Sequence, residues 1–234
     1  MLVLLVATFV VAVVVFAAVV YPGELSWLGP RWTAYLYNKA AANYETKWSR
    51  HNYVPYDDLI REALLAAQHK QGGEPLRIVD LCCGTGRATF RVLENLTDTA
   101  SVDCVDNSAA MLAILSEKLP NFSTTVDVRL HCEDVTAWLA REKEPYHLAV
   151  FMECSEFLPD FDAVVKTLST RLHPGALVVT TRPEGLFSWF FPGRSQRWRA
   201  YSALFSRYGF SLHSDERWRA RYRLVTWTFN HNII

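Results

Sequence analysis

Residues 77–90, Arg-Ile-Val-Asp-Leu-Cys-Cys-Gly-Thr-Gly-Arg-Ala-Thr-Phe, constrain the fold more than any other stretch of the chain. A short apolar run, Ile78–Leu81, stops near a glycine pair, Gly84 and Gly86, and a helix-compatible segment follows. An apolar run of that length fits a strand buried on both faces, as parallel sheets require. A Cβ at either glycine would obstruct the tight turn or the approach of a ligand to the backbone. Amides at the start of the next helix then face an anionic group of that ligand. The stretch predicts the strand–turn–helix unit of a doubly wound α/β fold, with a ligand held at the turn.

About twenty residues further on, Ser101–Asp106 reads as a second short strand ending in an acid. A carboxylate at that separation accepts hydrogen bonds from ribose hydroxyls, which is the reading favoured for Asp106. The competing reading is a helix N-cap, because Asn107 and Ser108 introduce the apolar pattern Met111, Leu112, Leu115. A dinucleotide loop carries Gly or Ala at its third glycine position, whereas this chain has Thr89, which disfavours a nicotinamide reductase.

Residues 78–86, with Asp80 ahead of the turn, resemble the Asp-Leu-Gly-x-Gly-x-Gly motif of class I S-adenosylmethionine (SAM) methyltransferases, except that Cys82 stands at the first glycine. Further landmarks follow in that family's order. Val102–Ser108 with Met111 and Leu112 resembles the second motif, and Cys132–Val135 the third, whose acid faces the adenine amine. Tyr146–Met152 resembles the fourth strand, Leu172–Val179 the turn into the fifth, and Trp198–Phe229 the closing helix and antiparallel strand pair. The resemblance covers roughly residues 40–230. It implies a Rossmann-like, doubly wound seven-stranded sheet with an antiparallel last strand, and SAM as cofactor. The matching positions imply cofactor contacts from Asp80, Cys82, Cys83, Gly84, Gly86, Asp106, Asn107, Met111, Asp134, Val135 and Met152.

Ahead of this core, Leu2–Val20 is an uncharged run rich in Val, Leu and Ala, about 28 Å long as a helix and so close to a bilayer's apolar thickness. It has no preceding Lys or Arg and no clear small-residue cleavage site, which favours a retained anchor over a signal peptide. Arg31, Lys39, Lys47 and Arg50 on its C-terminal side predict a single-pass protein whose catalytic domain faces the cytoplasm. The expected division is therefore an anchor at 1–21, juxtamembrane and lid helices at 22–75, and a SAM-binding core at 76–234. Two helices, about Trp32–Trp48 and Tyr56–Lys70, are expected in the middle segment. Its Tyr37 and Tyr44 either close over the methionine end of the cofactor or simply pack the helices onto the sheet. Phe187–Gly193 with Arg194, Arg197 and Arg199 suits membrane contact, the wall of an apolar pocket, or core packing.

Net charge is zero and no basic tract is present, so nucleic acid is not an expected partner. Five cysteines without metal-ligand spacing read as buried, reduced thiols, and no metal site is expected. No residue declares itself catalytic. Glu153 and Glu156, just after the fourth strand, and His51 from the lid are the candidates, with a cap or solvated role the alternative for either glutamate. The segment after that strand lacks the Asn/Asp-Pro-Pro-Tyr/Phe signature of base and side-chain nitrogen methylation. The expected activity is methyl transfer to a small, lipophilic acceptor by a membrane-anchored enzyme. The rivals are a protein methyltransferase and a protein that binds SAM without transferring methyl.

Overall fold

The computed structural model describes residues 6–11, 13–14, 28–48, 53–70, 74–97, 99–122, 126–185, 188, 191, 197–219 and 221–230. Helices α1 (Pro30–Trp48) and α2 (Val54–Lys70) lie directly ahead of the sheet. Strand and helix then alternate through β1 (Leu76–Leu81), α3 (Arg87–Asn95), β2 (Ala100–Asp106), α4 (Ala109–Lys118), β3 (Val126–Cys132), α5 (Val135–Arg141), β4 (Tyr146–Phe151), α6 (Phe161–Ser169) and β5 (Leu172–Pro183). The last elements are α7 (Trp198–Arg207), β6 (Phe210–Trp218) and β7 (Tyr222–Phe229).

The sheet has seven strands in the order β3-β2-β1-β4-β5-β7-β6. β1 to β5 pair in parallel, and β7 inserts antiparallel between β5 and β6. Strand order reverses between β1 and β4, and open α/β sheets bind ligands outside the carboxyl ends of strands at such a switch point. The central strands are buried on both faces, β1 and β4 alike, which accounts for their nearly unbroken apolar runs.

Each sheet face carries its own core. On one, Ile60 and Leu64 of α2, Val92 of α3 and Leu115 of α4 pack against Ile78, Val102 and Leu148. On the other, Trp138, Val164 and Phe205 of α5, α6 and α7 cover Val79, Ala149 and Trp227. Ser108 caps α4 by accepting from the Met111 amide, and Asp134 caps α5 by accepting from the Thr136 and Ala137 amides.

Several expectations change here. Among the described residues no helix is long and apolar enough to cross a membrane. The expected anchor, and with it the single-pass localisation with the domain toward the cytoplasm, is therefore withdrawn. Of the run at 2–20, residues 6–11 and 13–14 are described and helical, and the other positions lie outside the described residues. Phe187, Trp189, Phe190, Gly193 and Arg194 also lie outside them, whereas Phe191 is buried with its ring 5.5 Å from that of Phe157. Cys132, expected to be buried, is exposed at the end of the outer strand β3.

Candidate active site

The chain turns from β1 into α3 through three left-handed residues, Cys82 (φ 57°), Gly84 (φ 53°) and Gly86 (φ 88°). At Gly86 space forbids a side chain as well: a Cβ would lie 2.9 Å from Leu115 and 3.0 Å from Phe90. A Cβ on Gly84 would meet nothing within 4 Å, so there glycine serves the backbone conformation. Cys82 has no such freedom and bears a strain of about 1–2 kcal/mol.

Asp106, at the end of β2, braces this loop. Its Oδ2 accepts from the Gly84 amide (2.9 Å) and its Oδ1 from the Ser108 amide (2.8 Å). Burial pushes its carboxyl above the usual range, while the amides of Ser108, Gly84 and Asn107 hold it down. The cap of α4 is Ser108, so Asp106 is not the helix cap. Ser108 also ties down α1, because its Oγ donates to Asn38 Oδ1 (2.8 Å), which accepts from the Ala110 amide too (3.0 Å). Asn107 Nδ2 donates to the Pro30 carbonyl (3.3 Å), and Lys118 pairs with Glu45. Helix α1 is thereby pinned beside the loop.

Loop, β2 and α1 enclose a cavity of ≈ 680 Å³, within the range of small-molecule and cofactor sites. Of the residues singled out in the sequence, Cys82, Cys83, Gly84, Asp106, Asn107, Asp134, Val135 and Met152 line it, as do Tyr37 and Tyr44. Three others stand behind the wall. Asp80 is buried and accepts from Thr89 Oγ1 (2.6 Å); burial raises its pKa to about 7 against that hydrogen bond. Met111 is buried under α4, and Gly86 packs against Leu115.

The cavity also has lining residues that the sequence reading did not anticipate. Tyr53, Tyr56 and Arg87 line it together with Glu153. The Arg87 guanidinium lies 3.6 Å from the centroid of the Tyr53 ring. Arg219, from the β6–β7 turn, stacks on Trp218 (3.9 Å) and Tyr53 (4.6 Å) and pairs with Glu153 Oε1 (3.2 Å). Trp218 closes the cluster against Tyr53 and Tyr56, with ring centroids 5.8 and 5.4 Å away. Arg87 had a sequence signal, since it directly follows the glycine pair. Arg219 had none, because only the sheet order brings it here.

The acid candidates separate clearly. Glu153 lines the cavity at φ 52°, its amide donating to Thr181 Oγ1 (2.6 Å). Burial raises its pKa, opposed by Arg219 and Arg87. Glu156 neither caps a helix nor faces solvent. It is fully buried, accepting from Tyr222 Oη and from Ser155 Oγ (3.2 Å), and burial raises its pKa to about 7. It does not line the cavity, so it is placed out of reach of an acceptor there. His51 lies outside the described residues.

Residues 78–175 match the family described as "Methyltransferase domain". A trans-aconitate 2-methyltransferase of Variovorax paradoxus (strain S110) is 31% identical over 141 residues, a match spanning 58% of this chain and 50% of that protein. The chain thus spans about half the length of the curated relatives it matches. Among solved structures, the cyclase SpnF superposes with a TM-score of 0.68 at 12% identity, over 87% of this chain and 97% of the other. A magnesium protoporphyrin IX methyltransferase from Synechocystis PCC 6803, solved with bound SAM, superposes with a TM-score of 0.57 at 12% identity, over 76% and 81%. Residues 78–175, which hold the glycine turn, are thus the part of this chain that is similar to a methyltransferase domain.

Proposed function

We propose that this chain transfers the methyl group of SAM to a small-molecule acceptor bearing a carboxylate. The observation that carries the reading is the cavity itself, lined both by the braced glycine loop and by an arginine–tyrosine–glutamate cluster. The relatives named trans-aconitate 2-methyltransferase support the acceptor class. The lipophilic acceptor expected from the sequence rested on the membrane anchor and goes with it.

In this reading residues 22–75 act as lid helices over a core at 76–234. Asp106 and Asn107 take the ribose, Asp134 and Val135 the adenine, and Cys83, Gly84 and Met152 the methionine arm. Cys82 shapes the turn, Asp80 and Gly86 support it from behind, and Met111 holds α4 in place. When bound, SAM supplies a methyl group on a sulfonium, already activated for in-line displacement. Positioning donor and acceptor contributes ~7–11 kcal/mol, more than the ~10²–10⁴-fold of a general base. A carboxylate acceptor is ionised at neutral pH and needs no base at all. Arg87 faces the cavity, and no carboxylate within ion-pair distance of it is found among the described residues, so it is available to an acceptor anion. Glu153, held by Arg219, orients rather than deprotonates.

The test is incubation of the purified chain with methyl-labelled SAM and a panel of di- and tricarboxylic acids, with S-adenosylhomocysteine and extractable label as readouts. S-adenosylhomocysteine together with label in a small ester supports the reading. Label confined to protein would replace it with a protein methyltransferase, and SAM binding without product with a non-transferring fold.

A further inference from the structure

Four of the five cysteines cluster around the carboxyl end of β1, and they fall into two pairs by core cluster, Cys82 with Cys154 and Cys83 with Cys104. The first pair differs from ordinary core thiols in three respects. Cys82 occupies a left-handed position where glycine would be free of strain. Both Cys82 and Cys154 line the cavity, and Cys82 is partly exposed to it. Cys154 Sγ lies 3.9 Å from the carbonyl of Leu81, the residue before Cys82, and Cys82 packs against the same core cluster as Cys154. A strained non-glycine residue beside a ligand cavity points toward a role beyond packing. Cys104, by contrast, has no exposure at all.

We propose that Cys82 and Cys154 form a redox latch on the cofactor loop, closed to a disulfide by peroxide and shielded when the site is filled. The Cys82 thiolate attacks the peroxide O–O bond, giving a sulfenic acid and releasing hydroxide or alkoxide. Cys154 sulfur then displaces hydroxide from that sulfenic acid, and its own proton leaves with the hydroxide as water. Two thiols and one peroxide thus become one disulfide, one water and one water or alcohol, the two electrons passing from the sulfur pair to the peroxide. The covalent tie joins the turn after β1 to the segment after β4, the two walls between which the methionine arm would lie. The latch rests on the reading of this cavity as the SAM site.

The experiment treats reduced full-length protein with hydrogen peroxide, with and without saturating SAM, then maps disulfides by mass spectrometry under non-reducing conditions. SAM affinity is measured before oxidation, after it, and after dithiothreitol. The expected result is a Cys82–Cys154 linked peptide that SAM suppresses, an affinity at least tenfold weaker in the linked protein, and recovery on reduction. Cys154→Ala is expected to give one affinity before and after peroxide. A Cys83–Cys104 link instead, no link, or a linked protein with unaltered affinity would overturn the latch. A linked peptide in a protein whose reduced form binds no SAM would instead remove the cofactor reading.

Discussion

Asp106 accepts from the Gly84 amide of the loop with one carboxylate oxygen and from the Ser108 amide with the other, and it also lines the cavity. Asp106→Ala removes both and is expected to weaken SAM binding tenfold or more, equivalent to one or two charge-assisted hydrogen bonds, as titration calorimetry would measure. At Cys82 the expected effect has the opposite sign and concerns stability. Glycine there relieves about 1–2 kcal/mol of left-handed strain and gives back about 0.5–1 kcal/mol in unfolded-state entropy. Cys82→Gly is therefore expected to stabilise the fold by about 0.5–1 kcal/mol, read as a higher urea midpoint at unchanged slope. The loop and its acid were legible in the sequence because both belong to one short βαβ unit with fixed spacing. Asp80 and Met111 match the motif as letters, but their side chains point behind the wall. Motif position alone does not tell a lining residue from a supporting one.

At the scale of elements, α1 is tied to the site by side chains from distant parts of the chain. Asn38 joins it to the start of α4 through Ser108 and the Ala110 amide. Asn38→Ala removes the shared acceptor and is expected to speed SAM release several-fold and amide exchange in α1, with the thermal midpoint of the core nearly unchanged. Stopped-flow release and hydrogen exchange would read the two effects separately. The helix itself was legible to within two residues, Trp32–Trp48 against Pro30–Trp48, because it is long. What it contacts was not, since Asn38 and Ser108 lie 70 residues apart. The aromatic cluster of Tyr53, Tyr56 and Trp218 was hidden for the same reason: its members come from opposite ends of the described chain and meet only through the sheet order.

For the whole molecule, burial pushes the carboxyls of Asp80 and Glu156 each up to a pKa of about 7, and both act on stability in the same direction. The folded chain keeps protons on them that the unfolded chain has released above about pH 4, so stability falls as pH rises from about 4 to about 7 and levels off beyond. Asp80→Asn and Glu156→Gln are each expected to flatten the pH dependence of the thermal midpoint across that window, and the difference from the parent curve isolates these groups from the remaining titrations. The order of the strands carries one more implication. β7 lies between β5 and β6, with Leu224, Val225 and Trp227 fully buried, yet its residues come after every other strand in the chain. During synthesis, β5 emerges from the ribosome with one side unpaired and its apolar face bare until residues 210–229 follow. The nascent chain thus carries a complete glycine loop on an incomplete sheet, and its exposure to chaperones and to aggregation is set by how quickly the last hairpin arrives.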